Sequence, residues 1–141
     1  MTRRLLIALT ISLLALPAQA EAPLGDWLCT GSNPGDQRGY KGYVSVMRSG
    51  ETYTVFWRFG TSTYIGTGID SGDAFAVSFT QPQTPTSAPS VGLAIFRKQG
   101  ENWVGRWTQL GGKSIGLETW RKLSSGSGDK SGGSPQLPAP R

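Results

Sequence analysis

The chain has 141 residues, with 14 Lys and Arg against 9 Asp and Glu and a formal net charge of +5. It contains no histidine and one cysteine, which excludes a Ser-His-Asp triad, histidine metal ligands and a thiolate zinc or iron–sulfur site within one chain. The basic residues are mostly scattered singly, so we expect no nucleic acid as a partner, and no cofactor or metal site is predicted.

The first twenty residues have the features of a cleavable signal peptide. Two arginines precede an apolar run over residues 5–16, and the sequence Ala-Gln-Ala at 18–20 fits the small-x-small pattern of signal peptidase sites. Pro17 ends the apolar run short of the roughly 20 residues that a membrane-spanning helix needs. We therefore expect a signal peptide over 1–20, a periplasmic or secreted product, and no membrane-spanning segment after cleavage.

Residues 21–123 are predicted to form one all-β domain. Alternating apolar and polar residues, ended by Gly, Asn or Asp turns, predict eight strands over residues 27–29, 43–48, 53–59, 63–69, 74–79, 91–98, 103–108 and 114–123. No stretch keeps a helical period. Residues 124–141 are rich in Ser, Gly and Pro and almost lack apolar side chains, so this segment is predicted to be a disordered tail.

An internal repeat relates the two halves of the domain at a constant offset of fifty residues. The matches include Gly50 with Gly100, Tyr53 with Trp103, and Trp57 with Trp107. Two copies of a three-strand unit predict a small antiparallel up-and-down meander with an internal duplication. A closed barrel is the preferred arrangement because closure removes exposed sheet edges, and a two-sheet sandwich is the alternative.

Aromatic residues on one face of the predicted strands are the first candidates for a ligand site. Tyr53, Trp57, Trp103 and Trp107 alternate with smaller or polar residues and so face the interior. Such rings fill a core or line a ligand cavity, as small barrels allow. Core filling is the preferred interpretation, and the cavity stays open as the second.

Glu118 differs from most of the acidic residues because it lies inside a predicted strand rather than in a turn. Arg106 lies on the preceding strand, across the turn at Gly111 and Gly112. A buried charge must be paired, so we expect these two side chains to face each other as a structural ion pair. Arg106 and Glu118 also complete the set of candidate ligand-binding residues, and no catalytic residue is predicted.

Cys29 is the lone thiol of a chain that is expected to enter a compartment where disulfides form. It is interpreted as a small buried hydrophobe. The alternative is a disulfide-linked dimer.

Several short motifs follow one another in a definite order, among them Asn33-Pro34-Gly35, Gly66-Thr67-Gly68-Ile69, Gly105-Arg106-Trp107 and Gly116-Leu117-Glu118. Over about residues 30 to 120 this order resembles a family of small exported bacterial proteins of unestablished activity, some of which carry the label fibronectin-binding protein. The resemblance supports the all-β fold and implies no catalytic residues.

These observations leave three functional hypotheses. The first is an exported, non-enzymatic binding module for an extracellular or envelope protein or a glycan, in which the loop from Thr80 to Ser90 is a plausible contact. The alternative is a carrier that holds a small apolar ligand in an aromatic-lined barrel cavity. The third, a hydrolase that uses carboxylates alone, is the least favoured because the usual catalytic groups are missing.

Overall fold

A computed structural model describes residues 21–36, 38–82 and 89–123. The predicted signal peptide, the predicted tail and most of the loop from Thr80 to Ser90 lie outside the described residues. The described part of the chain forms eight strands: β1 (Gly25–Ser32), β2 (Gly39–Ser49), β3 (Thr52–Phe59), β4 (Ser62–Ser71), β5 (Ala74–Thr80), β6 (Val91–Gln99), β7 (Asn102–Gln109) and β8 (Gly116–Lys122).

The strands close into one antiparallel up-and-down barrel. Each strand pairs with the next along the chain, and β8 returns to pair with β1, where Cys29 lies opposite Trp120. The predicted all-β barrel of about eight strands is confirmed, and the two-sheet sandwich is wrong. Within the described ranges, no helix has the length and apolar character needed to cross a membrane.

The first two strands are longer than the sequence pattern predicts. Pairing between β1 and β2 continues to the turn at Pro34 and Gly35, so that Gly39 lies opposite Ser32 and Tyr40 opposite Gly31. This extension brings Tyr40 into the barrel, where it packs against the hydrophobic core.

One end of the barrel, where the β2–β3, β4–β5 and β6–β7 turns lie, is filled and is called the closed end. Its core includes Phe75, Phe96 and Trp120, each at most 1% exposed. The segment before β1 covers this end, because Pro23 is fully buried and its carbonyl accepts a hydrogen bond of 2.8 Å from the Trp27 indole N–H. The opposite end, where β1, β3, β5 and β7 finish, is called the open end.

Candidate functional site

The open end of the barrel contains a cavity of about 190 Å³. The side chains of Asn33 and Gln109 border it, and both residues are exposed to solvent, so the cavity has a mouth at this end. Trp57 and Glu118 also line the cavity but are only 4% and 6% exposed, so they form its floor. The site is therefore a pocket that leads from solvent toward a buried carboxylate.

Five aromatic rings form the wall of the cavity, and together they are called the aromatic collar. They come from five different strands: Tyr40, Phe59, Tyr64, Phe79 and Trp107. Successive ring centroids around the collar lie between 4.9 and 6.3 Å apart, and the last ring returns to the first. Neighbouring rings meet at steep angles of 64° to 77°, the edge-to-face arrangement that aromatic pairs prefer.

Glycines on neighbouring strands let the collar rings lie against the barrel wall. Phe79 lies over Gly92, and a Cβ atom at that glycine would be 2.1 Å from the ring. Trp107 lies over Gly116 in the same way, with a closest distance of 2.4 Å. Any larger residue at Gly92 or Gly116 would push its ring toward the cavity.

Glu118 accepts three hydrogen bonds at the floor of the cavity. Its Oε1 atom accepts from the indole N–H groups of Trp57, at 2.8 Å, and Trp120, at 2.5 Å. Its Oε2 atom accepts from the hydroxyl of Tyr40 at 2.6 Å. The two indole N–H groups can only donate, so they hold Oε1 as an acceptor at the floor of the cavity.

The predicted ion pair between Arg106 and Glu118 is wrong. Arg106 is exposed on the outer face of β7 and lies opposite Leu117, whereas Glu118 lies opposite Gly105 and faces the interior. The two ion pairs within the described ranges join Asp36 to Arg38 and Asp73 to Arg97, so neither involves Glu118. The buried carboxylate is held by neutral donors alone.

The other sequence-predicted residues divide between the two ends of the barrel. Trp57 and Trp107 line the cavity together with Glu118. Tyr53 and Trp103 are each 2% exposed and pack against the same ring, Phe75, so they belong to the core of the closed end. The core-filling interpretation therefore holds for Tyr53 and Trp103, whereas Trp57 and Trp107 border a cavity whose ligand stays a prediction.

The sequence prediction missed most of the aromatic collar, namely Tyr40, Phe59, Tyr64 and Phe79. Phe59 and Phe79 were recognised only as members of alternating strands, and Tyr64 sits in the same inward register as Gly66 and Gly68. For Tyr40, Phe59 and Phe79 a usable signal is a glycine on the neighbouring strand beneath the ring, as for Phe79 and Gly92, whereas Tyr64 lies opposite Trp57. That signal needs the strand register, which a single sequence does not supply.

Cys29 and Tyr40 both lie beside the Glu118 carboxylate. Cys29 is fully buried, as the first of its two interpretations predicts, and its burial raises the pKa of the thiol far above its usual range. Burial also raises the pKa of the Tyr40 hydroxyl, and the negative charge of Glu118 adds to the increase at both residues. Both groups therefore keep their protons in the folded barrel.

We expect the free energy of unfolding to fall as pH rises above about 9, because the unfolded chain then loses protons that the folded barrel keeps. In the unfolded chain, Cys29 and Tyr40 ionise near their ordinary pKa values of 9.0 and 10.0. Both pKa values are raised in the folded barrel, so the stabilisation is complete below the ordinary values of the unfolded chain. Above those ordinary values it is lost, by up to about 1.4 kcal/mol per pH unit for each group. Urea unfolding between about pH 7 and pH 11 measures this loss. Cys29→Ala should give a shallower slope, and an unchanged slope would contradict the assignment.

A second depression, of about 300 Å³, lies at the closed end. It runs beside the segment before β1 and is bordered by Lys98, Glu101 and Lys122, which are exposed. Trp27 and Trp103 line it, but they do not form a closed ring as the collar does, and its charged lining residues are exposed. In the described part of the chain, no group of three or more His, Cys, Asp or Glu side chains is placed to hold a metal ion.

No protein-family model matches the chain, and no curated protein matches it. The open-end cavity is therefore interpreted from its own geometry.

Proposed function

We propose that this chain is a non-enzymatic binding protein that holds a small ligand in the open end of its barrel. The observation that carries the proposal is the aromatic collar around a cavity of about 190 Å³ with Glu118 at its floor. Ligand sites in proteins are concave and mostly apolar, with a few polar groups that fix orientation, and this cavity has that composition.

The contrast between the two ends of the barrel supports a binding role. The closed end is packed with Phe75, Phe96 and Trp120, whereas the open end holds the cavity inside the aromatic collar. Unfilled space lined by apolar groups costs free energy, so an open cavity is a cost to a domain that needs only to be stable. Ligand binding explains why that space is kept.

The size of the cavity limits the ligand to a molecule of about one ring. An apolar protein cavity of about 150 Å³ accepts benzene, whereas sites for drug-sized molecules measure about 300–1,000 Å³. The indole N–H of Trp107 is buried and has no hydrogen-bond acceptor among the described residues. A hydroxyl or carbonyl oxygen on the ligand would satisfy this donor.

The signal peptide predicted over 1–20 supports a periplasmic or extracellular location, where a small diffusible ligand is accessible. Recognition of a protein or a glycan, such as the protein in the fibronectin-binding label, stays a prediction. It concerns surfaces other than the cavity, such as the loop from Thr80 to Ser90. A disulfide-linked dimer through Cys29 would require the barrel to open, because this thiol is fully buried.

Isothermal titration with three one-ring probes tests the proposal: benzylamine, benzyl alcohol and benzoate. We expect saturable binding of at least one of them to the wild-type protein. Ala94 lines the cavity on the inner face of β6, so Ala94→Leu should fill the space and abolish that binding. Ala76→Leu is the matched control, because Ala76 alternates with the buried Phe75 and Val77 and so faces outward.

The proposal fails if none of the three probes binds, or if Ala94→Leu binds the probe as well as Ala76→Leu does. A thermal melt of each variant establishes that the barrel is folded. Tyr64→Ala provides a second test, because it removes one half-buried wall ring at the mouth without filling the cavity. It should weaken binding of the probe.

A further inference from the structure

We infer, building on the proposed function, that the cavity takes a small organic cation, either an amine or a quaternary ammonium compound. The juxtaposition of the Glu118 carboxylate with the aromatic collar assigns this ligand class. The ligand is therefore defined by its positive charge as well as by the size of the cavity.

The floor of the cavity holds a carboxyl group that forms no ion pair with a basic side chain of the described residues. The donors to Glu118 are a phenol and two indoles, which are neutral groups. They satisfy the hydrogen bonds of the carboxylate but leave its charge in place. A buried charge is tolerated best when it is paired, so a ligand with a positive charge would complete the site.

The basic residues next to the collar and floor residues on β2, β3 and β7 face away from the site. Lys41 alternates with Tyr40 and Gly42 on β2, Arg58 alternates with Trp57 and Phe59 on β3, and Arg106 alternates with Gly105 and Trp107 on β7. In a strand, alternate side chains point to opposite faces of the sheet. Since the collar and floor residues face inward, these three cations lie on the outer surface of the barrel, and none of them pairs with Glu118.

The aromatic collar adds a second attraction for a positive charge. Its five centroids form a closed ring with spacings of 4.9 to 6.3 Å. A cation at the middle of such a ring lies within about 6 Å of every centroid, which is the range of cation–π attraction. Enclosure by several aromatic rings is the arrangement that recognises quaternary ammonium groups.

Other ligand classes fit these residues less well. An anion would be repelled by Glu118 at short range and in a partly desolvated site. Calcium or magnesium would need several oxygen ligands, and the floor offers one carboxylate whose oxygens already accept three hydrogen bonds. A neutral aromatic molecule would fill the space but leave the buried charge uncompensated.

Two pairs of probes test the charge preference at constant shape. Choline is compared with 3,3-dimethylbutan-1-ol, in which carbon replaces the quaternary nitrogen, and benzylamine is compared with benzyl alcohol. We expect the cation of at least one pair to bind at least about tenfold more tightly than its neutral counterpart. A preference within the choline pair indicates a caged quaternary cation, and one within the benzylamine pair indicates an amine that donates to Glu118.

Glu118→Gln is the critical variant, because the amide keeps the shape of the side chain and removes its charge. We expect it to lose the preference for cations over their neutral counterparts. Glu101→Gln, an exposed turn residue at the closed end, is the matched control and should keep that preference. Tyr64→Leu tests the collar separately and should weaken cation binding more than binding of the neutral counterpart.

The inference is overturned if the neutral probes bind as tightly as the cations, or if Glu118→Gln keeps the preference; the proposed cavity site then survives without a charge preference. If no probe of either charge binds, the proposed function fails, and the cation inference fails with it.

Discussion

Glu118→Ala should lower the free energy of unfolding by about 3 kcal/mol or more. Removal of the carboxylate leaves the indole N–H groups of Trp57 and Trp120 and the hydroxyl of Tyr40 without their acceptor. A buried donor without a partner costs about 1–3 kcal/mol, and here three donors are affected at once. Urea unfolding monitored by tryptophan fluorescence measures the difference.

Glu118→Gln separates the hydrogen bonds from the charge. The amide oxygen can still accept from both indoles, and the hydroxyl of Tyr40 can turn to accept from the amide N–H group. We therefore expect the Gln variant to lie within about 1 kcal/mol of the wild type. Equal stability of the Ala and Gln variants would contradict the role assigned to these three hydrogen bonds, and Glu101→Ala provides an exposed control.

Trp120→Ala should lower the free energy of unfolding by about 3–5 kcal/mol or prevent folding, which is the cost of truncating a fully buried large aromatic residue. Trp120 is 0% exposed and connects the two ends of the barrel. Its ring centroid lies 4.0 Å from that of Phe96 and 6.0 Å from that of Trp57, and its indole N–H donates to Glu118.

Trp120→Phe keeps an aromatic ring at the same position but removes the indole donor. We expect an intermediate loss of stability, because packing against Phe96 is partly preserved while Glu118 loses one of three hydrogen bonds. Chemical unfolding should give free energies of unfolding that decrease in the order wild type, Phe variant, Ala variant. A Phe variant as unstable as the Ala variant would contradict the contribution assigned to packing against Phe96, and one as stable as the wild type would contradict the contribution assigned to the hydrogen bond.

The barrel could be predicted from the sequence because its signals are local. Alternation of apolar and polar residues identifies inner and outer faces, and glycine turns separate the strands. Gly50 and Gly100, at φ values of 63° and 62°, occupy turn conformations that favour glycine. The duplication inferred from the offset of fifty residues stays a prediction.

The open cavity could not be predicted because alternation identifies a face and not a depth. Trp57 and Trp103 face the same interior, yet Trp57 lines the cavity floor and Trp103 belongs to the closed end. The position of each residue along the barrel axis depends on the stagger between strands, which is a property of the whole sheet. Tyr40 was missed for a related reason, since pairing with β1 extends β2 beyond the alternating segment.

The error at Arg106 comes from strand register. Across the β7–β8 turn, Trp107 lies opposite Gly116, so inward residues have odd numbers on β7 and even numbers on β8. Arg106 therefore faces solvent while Glu118 faces the interior. A shift of one residue in this pairing would bring Arg106 and Glu118 to the same face of the sheet, and the sequence of the turn does not settle which register forms.

The NMR signals of the Trp57 and Trp120 indole N–H groups, both of which donate to Glu118, test the central claim most directly. Titration with benzylamine should shift these two signals at much lower concentration than titration with benzyl alcohol. Backbone amides near outward-facing residues such as Leu93, which is 57% exposed, should stay unchanged. Shifts confined to the outer surface, or equal shifts with both probes, would contradict a cation site at the floor of the barrel.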